Sequence, residues 1–235
     1  MEIGSSMSKF ITALTSPVGR KFLTGITGIG LLIFVITHLI GNLQLFIGPE
    51  VFNSYSHKLE SLGIILYILE AGLLITFILH AITGINIYIR KKKARPVDYK
   101  VYTTAGGVSK QTFSSRSMMV TGSIILLFTI FHVLSFKFGS GIKEGYVTMA
   151  HGIEVRDLHR LVIETFQDLK YVIGYVGIMI LLGLHLRHGA WSAFQSLGVM
   201  NKKYTSAIYI TGVIFALLIS LGFIVLPVWI YLKGI

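Results

Sequence analysis

Four histidines lie inside long apolar stretches of the chain: His38, His80, His132 and His185. An imidazole in the hydrocarbon layer of a membrane costs free energy, so such residues usually mark a functional site facing the interior of a helix bundle. At about 1.5 Å per helical residue, His38 and His132 lie roughly 24 to 26 Å along two stretches that run in one direction. His80 and His185 lie roughly 22 to 27 Å along two stretches that run back. The four residues therefore form two pairs, each at its own depth.

Two imidazoles at one depth on two helices are what bis-histidine haem ligation requires, because the axial positions of the iron face opposite sides of the porphyrin. The chain contains no cysteine, so any metal must be held by histidine. Zinc fits less well, since a zinc site usually has three or four protein ligands and each depth offers two histidines. The pattern predicts two haems b, one near each face, with the four histidines as axial ligands of the haem iron.

A rival ligand, His188, lies one turn after His185 in the same stretch. Gly84 follows His80 by four residues, and Gly189 follows His185 by the same interval. Since position i+4 lies on the same helix face, a glycine there leaves space beside the imidazole ring. We therefore prefer His185 as the ligand and place His188 closer to the headgroup region.

The elements that carry these histidines are membrane spans. The chain has 235 residues, of which 53% are hydrophobic and 13% charged, and its mean hydropathy is +0.74, which excludes a soluble domain of this size. We predict an all-α integral membrane bundle of five transmembrane helices, forming a single domain over residues 1–235. Each predicted span is long enough to cross the hydrocarbon core. The predicted spans are about 21–47, 62–89, 117–137, 171–197 and 206–232.

The distribution of charge predicts the orientation of the bundle. The formal net charge is +11, and the basic residues flank apolar spans, as expected for cytoplasmic loops and not for a nucleic-acid-binding surface. The loops at 48–61 and 137–170 show no positive excess, so we expect them outside, with the N-terminus cytoplasmic and the C-terminus outside. The basic cytoplasmic groups are Lys9, Arg20 and Lys21; the linker from Arg90 to Arg116; and Arg187, Lys202 and Lys203.

The second outer loop contains a further predicted element. Residues 155–168 place apolar side chains on one face at helical spacing, which predicts a short helix lying on the outer surface. The three remaining histidines, His57, His151 and His159, lie in the outer loops, where we expect solvated or capping roles.

Several stretches resemble one family: SPVGRKFLTGITG, THLIGNLQLF, FNSYSHKLESLG, LHAITGINIY and GLHLRHGAWSAFQSLGV. They are similar to the dihaem, five-helix cytochrome b subunit of succinate:quinone oxidoreductases, either succinate dehydrogenase or fumarate reductase. The resemblance implies that His38 and His132 bind a distal haem and that His80 and His185 bind a proximal haem. It also implies a membrane anchor for a flavoprotein subunit and an iron–sulfur subunit on the cytoplasmic side of a bacterial inner membrane. The quinone would be menaquinone, and a dimer of complexes is compatible with this interpretation.

Quinone chemistry near the distal haem would require a group that exchanges protons near the outer face. Glu60, at the outer start of the second span, and Glu70, about 15 Å deeper, are the candidates. For Glu70, a structural hydrogen bond within the bundle is an equal alternative. Asn42, one turn beyond His38, could bond a haem propionate or a quinone carbonyl, and a helix-capping amide is at least as good an explanation.

Two other functions compete with this interpretation. A cytochrome b subunit of a hydrogenase or formate dehydrogenase also joins haems to quinone, and succinate-reducible haem with co-purifying flavin would separate the two. A transporter or channel with proton-relaying histidines belongs to another class, and it predicts a colourless purified protein.

Overall fold

The computed structural model describes residues 2–94, 112–150, 152–201 and 203–234. The linker residues 95–111, together with His151 and Lys202, lie outside the described residues. Within the described ranges, five helices are long and apolar enough to cross a membrane. The chain is therefore an all-α, multi-pass helical bundle, which confirms the predicted fold class.

Helices account for most of the described chain. Five of them correspond to the predicted spans, and their ends lie within four residues of the predicted ones. The first and third spans are lengthened by a 3₁₀ turn at Leu43–Phe46 and a π-helical turn at Val133–Lys137. The helices are α1 Glu2–Thr15, α2 Pro17–Asn42, α3 Pro49–Glu60, α4 Ile64–Lys93, α5 Phe113–His132, α6 Leu158–Phe166, α7 Leu169–Ser196 and α8 Thr205–Lys233.

Polar caps explain why α2 and α5 begin before their apolar segments. The Ser16 hydroxyl accepts a hydrogen bond from the Gly19 amide at 2.9 Å, and Pro17 occupies the first turn of α2. Thr112 and Ser115 form a capping box at the start of α5. These caps satisfy amide groups that have no partner inside the helix, so each helix starts at its cap and not at its first apolar residue.

The five spans pack as a ring of four helices with α8 outside it. In the ring, α2 lies between α4 and α7, and α5 lies between α7 and α4, while α8 packs mainly on α7. The helices α2 and α5 are therefore diagonal partners, as are α4 and α7. Side chains from diagonal partners meet along the central axis of the bundle, which is where cofactors are held in helical bundles.

The loops divide into two ends, which we name from the predicted orientation. The inner end carries α1 and the end of α4, where Arg90, Lys91, Lys92 and Lys93 form the last turn. The outer end carries α3, the strands β1 (Val147–Ala150) and β2 (Ile153–Arg156), and α6. The strands form an antiparallel hairpin. The helix α3 replaces most of the outer loop expected at 48–61, and neither α1 nor the hairpin was predicted.

The outer end is a packed cap on the bundle. The helix α6 matches the short helix predicted at 155–168, and it buries Leu161, Val162, Ile163 and Phe166 against the ends of the spans. The side chain of Asn53 is 1% exposed; it donates to Asp157 Oδ1 at 2.8 Å and accepts from the His159 amide at 2.9 Å. This amide joins α3 to the start of α6, and its burial is tolerated because its hydrogen bonds are satisfied.

Arg156 anchors the hairpin to the end of the third span. Its guanidinium donates to the carbonyl oxygens of Phe136 at 2.8 Å, Gly139 at 3.1 Å and Ser140 at 3.0 Å. Partial burial lowers the pKa of Arg156, while the nearby carboxylates of Glu60 and Glu144 act in the opposite direction. The guanidinium thus satisfies carbonyl groups left without partners where the π-helical turn ends.

Candidate functional site

The structure brings the four span histidines together in the two predicted pairs. The rings of His38 and His132, which we call the outer pair, have centroids 5.8 Å apart and planes at 89°. The rings of His80 and His185, the inner pair, have centroids 6.5 Å apart and planes at 70°. Each pair joins diagonal partners of the helix ring, so both lie in the interior of the bundle.

The spacing within each pair suits one metal ion between two imidazoles. A metal–imidazole nitrogen bond of about 2 Å on each side places the two ring centroids about 6 Å apart. Among the described residues, no group of three or more histidine, cysteine, aspartate or glutamate side chains could hold a metal ion. Two ligands at each level suit haem, whose porphyrin supplies the other four, better than zinc.

Small residues leave space beside the inner pair. A methyl group built on Gly84 or Gly189 would meet no atom within 4 Å apart from its own helix and chain neighbours. Both glycines follow a histidine of the inner pair by one turn and share its helix face. The open space beside the imidazoles is compatible with a flat macrocycle between the helices.

Two threonines contact the inner pair from neighbouring helices. The Thr27 hydroxyl on α2 lies 3.2 Å from His80 Nδ1, and the Thr121 hydroxyl on α5 lies 3.2 Å from His185 Nδ1. Each contact uses Nδ1 and leaves Nε2 of the histidine for a metal ion. The donor set of the inner pair therefore fits haem iron.

The outer pair has different partners. Tyr175 Oη on α7 lies 3.2 Å from His132 Nδ1, which also leaves Nε2 of that ring available. The Asn42 amide donates to the His38 carbonyl at 2.8 Å, and its nitrogen lies 3.3 Å from His38 Nε2. Asn42 thus occupies the end of α2 as a capping amide, and iron bound to His38 Nε2 would displace it from that nitrogen.

Aromatic side chains surround the outer pair. Phe34 stacks on His38 with ring centroids 5.3 Å apart, and Phe136 lies at the same distance from His132. Phe223 on α8 lies 5.9 Å from His38. These rings form an apolar wall that limits contact of water with the imidazoles.

An internal repeat, which the sequence analysis above does not include, relates the two halves of the site. Thr27 lies eleven residues before His38, and Thr121 lies eleven residues before His132; a glycine, Gly28 or Gly122, directly follows each threonine. Likewise, a glycine lies eight residues before each inner histidine and another four residues after it. The recurring Thr-Gly dipeptide was visible in the sequence, but its contact with the inner pair depends on how the helices are rotated.

His188 stands apart from both pairs. Its ring packs against Trp191 with centroids 5.1 Å apart, and its buried Nδ1 has no hydrogen-bond partner within the described part of the chain. Arg187 donates to Ser114 Oγ at 3.4 Å and to Tyr209 Oη at 3.2 Å. The structure thus places His185, and not His188, opposite His80.

The two candidate carboxylates lie away from the histidine rings. Glu70 on α4 forms an ion pair with Lys137 at the end of the third span, with side chains 35% and 42% exposed, respectively. Glu60 is the exposed last residue of α3, and the second span begins shortly after it at Ile64. In the described structure, no hydrogen bond joins either carboxylate to the outer pair.

An apolar groove leads from the bundle surface towards the outer pair. It has a volume of about 560 Å³ and lies between α5 and α7, lined by residues that include Phe128, Phe131 and Gly174. Lys170 lines the groove at the start of α7, and Tyr175, whose hydroxyl contacts His132, forms part of its wall. The lining suits an apolar chain with a polar headgroup near Lys170.

Comparison with models of protein families, with curated proteins and with solved structures gave no match. The resemblance to dihaem cytochromes b stays a prediction from the quoted stretches. The geometry of the two histidine pairs is therefore the main indication of function.

Proposed function

We propose that the chain is the dihaem cytochrome b subunit of a succinate:quinone oxidoreductase, either a succinate dehydrogenase or a fumarate reductase. The observation that supports this proposal most strongly is that the four histidines form two pairs at two levels of the bundle. The ring centroids are 5.8 Å apart in the outer pair and 6.5 Å apart in the inner pair. His38 and His132 would hold the distal haem, and His80 and His185 the proximal haem. Haem, when bound, accepts and releases one electron at a time.

The protein's own contribution is to hold the ligands and to keep water away from them. The diagonal helices present two imidazoles to each level, while Thr27, Thr121 and Tyr175 contact their Nδ1 atoms. The aromatic wall around the outer pair lowers the local polarity. Burial and hydrogen bonding of the ligands are the means by which a protein tunes the reduction potential of a haem.

The two ends of the bundle would serve different partners. The basic inner end would face the cytoplasm of a bacterium, where an iron–sulfur subunit and a flavoprotein subunit would dock. Menaquinone would react near the outer pair, with the groove between α5 and α7 as an apolar route from the membrane. Glu60 is the candidate for proton exchange there, while the ion pair with Lys137 supports the structural alternative for Glu70.

The test is a reduced-minus-oxidised absorption spectrum of the protein purified with its native partners. The proposal predicts the bands of low-spin haem b, reducible by succinate in a complex that contains flavin. Haem reducible only by hydrogen or formate would favour the other quinone-linked complexes. A colourless protein from haem-replete cells would contradict haem binding and favour a transporter.

A further inference from the structure

The contacts of Thr27 and Thr121 determine which protonation form the inner histidines adopt. The Thr27 hydroxyl donates to the Leu23 carbonyl at 2.7 Å. The Thr121 hydroxyl donates to the Ser117 carbonyl at 3.1 Å. With its single hydrogen used within its own helix, each hydroxyl can only accept a hydrogen bond from the neighbouring imidazole.

When the hydroxyl donates within its own helix, its partner imidazole donates to it through Nδ1. The His80 Nδ1 atom lies 3.2 Å from the Thr27 hydroxyl oxygen, and the His185 Nδ1 atom lies 3.2 Å from the Thr121 hydroxyl oxygen. In a neutral imidazole with a hydrogen on Nδ1, the free electron pair is on Nε2. Both inner histidines thus present Nε2 as the metal-binding atom before any metal arrives.

The glycine after each threonine sets the position of the same ring. A methyl group on Gly28 would lie 3.2 Å from His80 Cε1, and one on Gly122 would lie 3.2 Å from His185 Cε1. A side chain at either position would crowd the imidazole, which would have to shift by a few tenths of an ångström away from the neighbouring helix. The Thr-Gly dipeptide therefore acts as one unit on each side of the inner pair.

Both threonines are buried, and each makes the same contact with one histidine of the inner pair. Thr27 is 5% exposed and Thr121 is 2% exposed, so water does not compete for the imidazole hydrogen. The outer histidines have an amide and a phenol as partners instead. An intrahelical bond alone would explain a threonine in a span, but it would not explain the same distance to a histidine on both sides.

We propose that Thr27 and Thr121 are positioning residues for the proximal haem, which fix the tautomer and orientation of His80 and His185. This inference rests on the proposed function. A hydrogen bond accepted from the Nδ1–H of a metal-binding histidine makes the ligand more basic, which stabilises the oxidised metal. Loss of such a partner typically weakens metal binding roughly 10- to 100-fold.

The experiment replaces each threonine by valine in the complete complex and titrates the two haems by redox potentiometry. Thr27→Val and Thr121→Val keep the shape of the side chain but remove the acceptor. We expect each to raise the potential of the proximal haem and to leave that of the distal haem unchanged. The electron paramagnetic resonance signal of the oxidised proximal haem should shift too, because it responds to the orientation of the imidazole planes. Thr27→Ser and Thr121→Ser should restore both readouts.

Thr76→Val and Thr129→Val are the matched controls. Their hydroxyls donate to the Gly72 and Ile125 carbonyls of their own helices at 2.8 Å, and in the described structure neither hydroxyl forms a hydrogen bond with a histidine. If a valine variant does not insert, the alanine variant at that position gives the same readouts. Potentials and resonance signals equal to those of the controls, or a shift at the distal haem, would overturn the inference. Absence of haem from the unmutated protein would instead overturn the proposed function on which it rests.

Discussion

The imidazole of His38 on α2 meets that of His132 on α5 at 5.8 Å, although these two helices lie diagonally across the bundle. The helices α2 and α5 are not neighbours in the ring. Their histidines therefore meet in the interior of the bundle, where side chains from opposite helices converge. The same relationship one level deeper joins α4 to α7 through His80 and His185. These convergences underlie the predictions that follow.

Replacing one member of the outer pair should remove one haem and spare the other. A haem b with a single axial histidine loses half of its protein ligation, so His38→Ala and His132→Ala should each leave about one haem per chain. The measurement is haem content together with the spectrum of the remaining species. His188→Ala is the control, since the His188 ring packs on Trp191 and belongs to neither histidine pair, and it should retain both haems.

The predicted orientation can be tested by labelling, because the natural chain has no cysteine. Lys93 ends α4 at the inner end, and Lys143 lies in a short 3₁₀ turn at the outer end; both are exposed. We expect Lys93→Cys to react with an impermeant thiol reagent only from the cytoplasmic side, and Lys143→Cys only from the outside. The reverse pattern would exchange the distal and proximal assignments.

The two carboxylates should differ in their effect on quinone turnover. Glu60→Gln keeps the size of the side chain but cannot ionise, so it should abolish electron exchange with quinone while both haems stay bound and reducible. Glu70→Gln should leave turnover nearly unchanged, because the partner of Glu70 is Lys137 and an amide can still bridge the two helices. Turnover is measured with a soluble quinone analogue.

The variant Lys137→Gln controls for the ion pair, because it breaks the same contact from the other side. If Glu70 has only a structural role, Glu70→Gln and Lys137→Gln should behave alike. Loss of turnover in Glu70→Gln alone would assign a proton-transfer role to Glu70. Normal turnover in Glu60→Gln would move the quinone site away from the outer end of α3.

A buried amide should stabilise the outer cap. Asn53→Ala removes the hydrogen bonds to the half-buried Asp157 carboxylate and His159 amide, at a cost of about 0.5–1.5 kcal/mol for each lost bond. Ser54→Ala is a matched control at the next position, because the buried Ser54 hydroxyl has no hydrogen-bond partner in the described structure. Thermal unfolding in detergent should show a lower midpoint for Asn53→Ala and little change for Ser54→Ala.

The sequence predicted the spans and the pairs of histidines for a simple reason. The length of a span follows from the thickness of the membrane, and the depth of a residue follows from the rise per residue of a helix. Counting residues was therefore enough to place His38 with His132 and His80 with His185. It could not show the contact of Thr27 with His80, because that depends on the rotation of two helices about their axes.

The outer cap was less predictable, because its residues satisfy one another over long separations in the chain. The helix α3 is polar overall, so its sequence predicts a loop, whereas in the structure it is a helix that Asn53 joins to Asp157. The hairpin strands have four residues each, which is too short for a clear alternating pattern. The sequence did not predict the ion pair of Glu70 either, because its partner Lys137 lies on another helix, far from Glu70 in the chain.

The central claim is that each chain holds two haems b, one at each histidine pair. The most direct measurement is the haem content of the purified, unmutated protein, determined from its alkaline pyridine spectrum and divided by the amount of chain from quantitative amino-acid analysis. The account predicts two low-spin haems b per chain. One haem per chain, or none, in protein purified from haem-replete cells would contradict it.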